Sequence, residues 1–113
     1  MKPINEDTVL AALARHIGEA KGVTARDLVV EITGRADDEV QVRNLRHAIT
    51  KLRMAGQHVC GLPSTGYYMA ENEKELLRTC QHLYKRDMTG LKQIAAMRKV
   101  SLPDIAGQLR LPT

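Results

Sequence analysis

Hydrogen-bond donors are concentrated in one short stretch of the chain. Its polar side chains are Arg43, Asn44, Arg46, His47, Thr50, Lys51 and Arg53. Guanidinium groups form paired hydrogen bonds with planar acceptors, and ammonium groups attract phosphates as point charges. The stretch is therefore suited to contact with a polyanion.

The charges of the chain are unevenly distributed over its 113 residues. Residues 1–39 contain 5 basic and 8 acidic side chains, whereas residues 40–70 contain 4 basic side chains and no Asp or Glu. A phosphate-facing surface needs such a gap, because a carboxylate there would be repelled. The alternative is a chance gap on an ordinary solvated surface.

Other arrangements that could carry chemistry are incomplete. His58 and Cys60 would share one strand face, but a zinc site needs further ligands at a suitable spacing, and none is recognisable. No phosphate-binding glycine loop of the GxxxxGK or GxGxxG type occurs, and no nucleophile can be matched with a base. We therefore expect no enzymatic activity, no metal and no cofactor.

Three helices are predicted before residue 56. Asn5 caps the first, whose apolar stripe contains Val9, Leu10, Leu13, Ala14 and Ile17. Thr24 caps the second, which Gly34 ends. The third runs from about Glu39 to Ala55 with Val42, Leu45, Ile49 and Leu52 on one face. Its basic and amide side chains consequently lie on or beside the opposite face.

A β-hairpin is predicted after Gly56. Residues 57–62 form the first strand, Pro63 to Gly66 the turn, and residues 67–70 the return strand. Strand alternation places Tyr67 and Met69 on one face, which we expect to be buried, and Tyr68 on the other. The outward ring of Tyr68 then either lies against a phosphate backbone or covers the hairpin.

The remaining residues, 71–113, predict a helical extension. Its stripe runs from Leu76 to about Val100 with a kink or break at Thr89–Gly90, and a short last helix follows Ser101. We expect this extension to mediate oligomerisation through Leu76, Leu77, Leu83, Tyr84, Leu91 and Ile94. The chain thus divides into a domain over residues 1–70 and an extension over residues 71–113.

The order of these elements resembles a winged helix-turn-helix domain. Gly22 to Val29 resembles the start of the first helix of the motif. Val42 to Arg53, followed by Gly56, is similar to the recognition helix, and Gly66 to Met69 is similar to the second wing strand. Small bacteriophage and prophage regulators with a C-terminal helical extension are the most similar class. This resemblance implies a mainly α fold with a small β-hairpin wing, a long C-terminal helix and a short terminal helix.

The same resemblance implies sequence-specific binding of double-stranded DNA by a homodimeric regulator. The donors between Arg43 and Arg53 would enter or flank the major groove, and Ser64, Thr65 and Tyr68 would contact the DNA from the wing. The connector from Ile32 to Val40 is longer than that of a simple helix-turn-helix. Arg43 and Asn44 are therefore expected to contact either bases or phosphates.

Two other functions fit the same pattern. The domain could be a scaffold whose extension captures a host or phage protein, as in a phage replication adaptor or an inhibitor of a host nucleic-acid enzyme. It could also be a purely structural oligomerisation domain. No apolar run approaches the ~18 residues of a membrane span, and residues 1–7 do not form a signal peptide. We therefore expect a cytoplasmic protein with free Cys60 and Cys80 thiols.

Overall fold

The computed structural model describes residues 2–35 and 38–98. Its elements are α1 (Glu6–Leu13), a 3-10 turn (Glu19–Lys21), α2 (Ala25–Thr33), α3 (Glu39–Met54), β1 (Val59–Leu62), β2 (Gly66–Met69) and α4 (Glu73–Arg98). The expected fold class, mainly helical with a small antiparallel hairpin, is confirmed. The short helix predicted after Ser101 lies outside the described residues.

Side-chain caps begin the first three helices, and the first two are those that the sequence predicts. Asn5 accepts a hydrogen bond from the backbone of Thr8 at 2.9 Å, and Thr24 accepts one from Asp27 at 3.1 Å. Asp38 caps α3 through the N–H of Gln41 at 2.7 Å. Each cap satisfies a backbone donor that has no partner inside the helix.

The end of α1 differs from the prediction. The helix stops at Leu13, and the backbone N–H groups of Arg15 and His16 bond three residues back, which tightens the chain into a turn. Ile17, predicted to continue the buried stripe, is instead 49% exposed, and its backbone forms a bridge with Met69. Ala14 is exposed too.

The hydrophobic core lies between α1, α2 and α3. Its buried side chains are Val9, Ala12, Leu13, Leu28, Val29, Ile32, Val42, Leu45, Ala48, Ile49, Leu52 and Val59. All four apolar residues predicted on the inner face of α3 belong to this core, which makes aliphatic burial its main stabilising force. The opposite face of α3 is thereby directed to solvent.

A third chain segment pairs with strand β2 of the hairpin through its backbone, and the sequence does not predict this pairing. Strand β1 pairs with β2 in antiparallel register, with Cys60 opposite Tyr68. The other edge of β2 bonds to the segment between α1 and α2. Tyr67 and Val23 exchange backbone hydrogen bonds of 2.7 and 2.9 Å, and Met69 donates to His16 at 2.8 Å. This pairing holds the hairpin against the helical core.

The predicted outward position of Tyr68 is wrong. Tyr67 and Met69 do pack on the helical core, but the opposite face of the hairpin is covered as well. There Cys60 is fully buried with its thiol 3.7 Å from the carbonyl oxygen of Glu75, and Gly61 donates to Thr79 at 3.2 Å. Tyr68 is 0% exposed, and burial raises the pKa of its phenol. It is therefore a core residue with no access to DNA.

Helix α4 begins as predicted and continues without the expected break. Asn72 accepts a hydrogen bond from the N–H of Glu75 at 2.9 Å, and the helix runs through Thr89 and Gly90. The described residues fall into two compact units, one ending at Thr79 and the other beginning at Cys80, inside α4. Glu75 and Thr79, in the first turns of α4, contact the hairpin within the first unit. The predicted division at residue 70 stays a prediction.

Candidate nucleic-acid interface

The outer face of α3 presents most of the donors singled out in the sequence. Arg43, Asn44, Arg46, His47, Thr50 and Lys51 are all exposed. With about 100° per residue, Arg43, His47, Thr50 and Met54 project within a sector of about 60°. Lys51 and Asn44 lie on one side of that sector and Arg46 on the other. The helix therefore has a central outer line and two flanks.

The cations on this face are not neutralised by nearby carboxylates. Within residues 2–35 and 38–98, no ion pair involves Arg43, Arg46 or Lys51. The acidic residue of α3, Glu39, lies in its first turn and pairs with Arg26 at 2.8 Å. The remainder of the outer face can therefore attract an anion without first breaking a salt bridge.

Arg53 has a different position from the other predicted contacts. It is half-buried, and its Nε donates a hydrogen bond to the carbonyl oxygen of Val59 at 2.8 Å. The side chain thus ties the last turn of α3 to the start of β1. The sequence could not reveal this role, because it depends on how the hairpin folds back onto the helix.

The hairpin tip has acidic surroundings. Ser64 is exposed, and Thr65 is half-buried with its hydroxyl 3.0 Å from the carbonyl oxygen of Gly66. Both residues line a cavity of about 650 Å³ together with Glu19, Ala20, Gly22, Glu71 and Glu75. Three carboxylates lie at this place, and that of Glu19 is paired with Arg78. The predicted contacts of Ser64 and Thr65 with DNA stay a prediction.

The carboxylates beside the hairpin are held in place by the fold. Glu75 accepts backbone hydrogen bonds from Glu71 at 2.9 Å and from Glu19 at 3.1 Å, which hold its pKa below the ordinary value. Arg78 pairs with the carboxylate of Glu19. These contacts link the segment after α1 to the start of α4, so a structural role explains them.

A second charged cluster joins the end of α1 to α2. Glu31 accepts hydrogen bonds from Arg15 at 2.8 Å and from the ring of His16 at 2.8 Å. The other ring nitrogen of His16 lies 2.8 Å from the carbonyl oxygen of Lys21. Burial by itself raises the pKa of Glu31, but the hydrogen bonds and positive charges of His16 and Arg15 outweigh it and lower the pKa.

Removing the charge of Glu31 is expected to destabilise the fold at neutral pH. Because the folded-state pKa is lowered, the stabilisation is present above the ordinary value of 4.5 and is lost as the pH falls through the folded-state value. Glu31→Gln should lower the free energy of unfolding by about 1 kcal/mol at pH 7.

Urea unfolding at pH 7 and at acidic pH checks this expectation. The matched control is Glu39→Gln, whose pair with Arg26 is exposed on both sides and should contribute almost nothing. The interpretation is wrong if the two variants lose equal stability at pH 7, or if the cost at Glu31 does not shrink on acidification.

The residues predicted for oligomerisation have mixed exposure along α4. Leu76, Leu83, Leu91 and Ile94 are half-buried. Leu77 is 51% and Tyr84 67% exposed, which leaves apolar surface on the helix. Pairing of this helix with a second copy stays a prediction.

Comparisons with protein families, with curated proteins and with solved structures find no match to this chain. Across the described residues, no helix has the length and apolar character needed to cross a bilayer. The functional argument therefore depends on the geometry and charge of this chain alone.

Proposed function

We propose that this chain is a sequence-specific double-stranded DNA-binding protein of the winged helix-turn-helix type, acting in the cytoplasm as a homodimeric transcriptional regulator like those of phages. The observation that carries the proposal is the outer face of α3. It exposes Arg43, Arg46 and Lys51 without carboxylate partners among the described residues. Such a face supports binding to phosphates and base edges.

The dimensions of α3 are compatible with the major groove of duplex DNA. Its 16 residues correspond to a rod about 24 Å long and about 10–12 Å wide, and the major groove is about 12 Å wide. Asn44 presents an amide with donor and acceptor groups on this face, and the hydroxyl of Thr50, which donates to the carbonyl oxygen of Arg46 at 3.1 Å, can still accept a hydrogen bond. Their presence among the cations favours hydrogen bonding to base edges, which is the basis of sequence preference.

The proposal is tested by titrating the purified chain against a labelled random-sequence duplex over a series of salt concentrations. If Arg43, Arg46 and Lys51 each contact a phosphate, log K should fall with log salt at a slope of about −2.7. If Arg43 contacts a base instead, the slope should be about −1.8. Selection from a random duplex pool should then enrich a defined sequence. Absence of salt-dependent binding would contradict the proposal, and binding without enrichment would limit it to non-specific contact.

A second candidate function is capture of a host or phage protein by α4. The exposed apolar side chains of Leu77 and Tyr84 favour it, because large apolar groups on a helix surface suit protein contacts. Failure of the duplex titration would favour this candidate. Sedimentation velocity distinguishes the homodimer from a monomer that binds a foreign partner.

A further inference from the structure

One large apolar side chain lies among the polar groups on the outer face of α3. Met54 is 84% exposed, more than any other large hydrophobic residue described. It falls in the same narrow sector as Arg43, His47 and Thr50, at the carboxyl end of the helix. It has no part in the core.

The environment of Met54 is compatible with one kind of apolar partner. The neighbours of Met54 on this face are polar, Thr50 and Lys51, so Met54 is a single apolar group among hydrogen-bonding groups. Within the major groove, the C5-methyl group of thymine is an isolated apolar feature bordered by polar base edges and phosphates. A single flexible thioether among donors matches that pattern in size and chemistry.

The position of Met54 along the helix sets where such a contact would fall. Arg43 and Met54 are both on the central outer line and are separated by about 16 Å along the axis, at 1.5 Å per residue. This length corresponds to about five base pairs at 3.4 Å each. The guanidinium group of Arg43 suits the paired acceptors of guanine. Arg43 and Met54, at opposite ends of this line, would therefore prefer different bases.

We infer that Met54 is a specificity-determining residue that contacts a thymine methyl group about five base pairs from a guanine contacted by Arg43. This inference rests on the proposed function of α3 and extends it to the composition of the target. Arg46 and Lys51, on the two flanks, then contact the phosphates that border the groove.

The test uses deoxyuridine, which differs from thymidine only by the missing methyl group. A duplex enriched by selection with the wild-type chain is resynthesised with each thymine replaced in turn. At one position the wild-type chain should bind about fourfold more weakly, which corresponds to burial of one methyl group. Met54→Ala should bind the thymine and deoxyuridine duplexes equally.

Met97→Ala is the matched control, because Met97 is also exposed, at 76%, but lies on α4. It should retain the fourfold preference of the wild-type chain. The inference is overturned if no thymine position is sensitive, if Met54→Ala keeps the preference, or if selection enriches nothing. Because salt-dependent binding to random duplex is measured separately, the first two outcomes leave the proposed function standing. Absence of enrichment limits that function to non-specific DNA contact, and loss of all duplex binding removes both.

Discussion

Gly66→Ala lowers the free energy of unfolding by about 3 kcal/mol, because two costs combine at this position. Gly66 has φ 75°, a left-handed backbone conformation that side chains other than Gly rarely adopt. A Cβ atom there would also overlap the carbonyl oxygen of Val23. Relief of the overlap requires the paired hydrogen bonds between Val23 and Tyr67 to lengthen, which loosens the hairpin from the core.

Gly34→Ala separates the two costs. Gly34 ends α2 with φ 73°, nearly the same as Gly66, but a Cβ there would meet nothing within 4 Å. This variant should therefore lose only about 1 kcal/mol, the cost of the left-handed conformation alone. Thermal unfolding followed by circular dichroism should show Gly66→Ala melting on the order of 10 °C below Gly34→Ala. Equal melting temperatures would contradict the close contact between Gly66 and the carbonyl oxygen of Val23.

The helices were predictable because each carries its own local signals. Val42, Leu45, Ile49 and Leu52 specify the buried face of α3 by their spacing alone, and two adjacent candidates, Asp37 and Asp38, predict a cap at its start. A helix face is defined by one chain segment, so the exposure of the opposite side follows directly. The outer face that supports the proposed function was accordingly predictable residue by residue, except for Arg53.

The environment of the hairpin was not predictable from the same kind of signal. Alternation assigns Tyr67 and Tyr68 to opposite faces, but it cannot say that both faces are covered. The cover over Tyr68 depends on Glu75 and Thr79, which follow later in the chain. Likewise, the segment from His16 to Val23 has no strand pattern, and only its backbone pairs with β2. Contacts distant in sequence, and backbone pairing without side-chain alternation, account for these errors.

Arg46→Ala combined with Lys51→Ala is expected to produce the largest functional loss. The two side chains flank the central line of α3, where each can contact one phosphate strand. Removal of two phosphate contacts should reduce the salt slope by about 1.8 and weaken duplex binding on the order of 50-fold at 0.1 M salt. The loss should be similar for all sequences, since phosphate contacts position the protein without reading bases.

Lys2→Ala combined with Lys21→Ala is the control for net charge. Both lysines are exposed, and they belong to the net acidic segment before α3. If long-range attraction by total charge were sufficient, the two double variants would bind DNA equally weakly. If α3 forms local contacts, the control keeps the wild-type slope, because a charge outside the interface releases no counterion on binding. An unchanged slope for the Arg46 and Lys51 variant would instead exclude α3 as the DNA-binding surface and favour a protein partner.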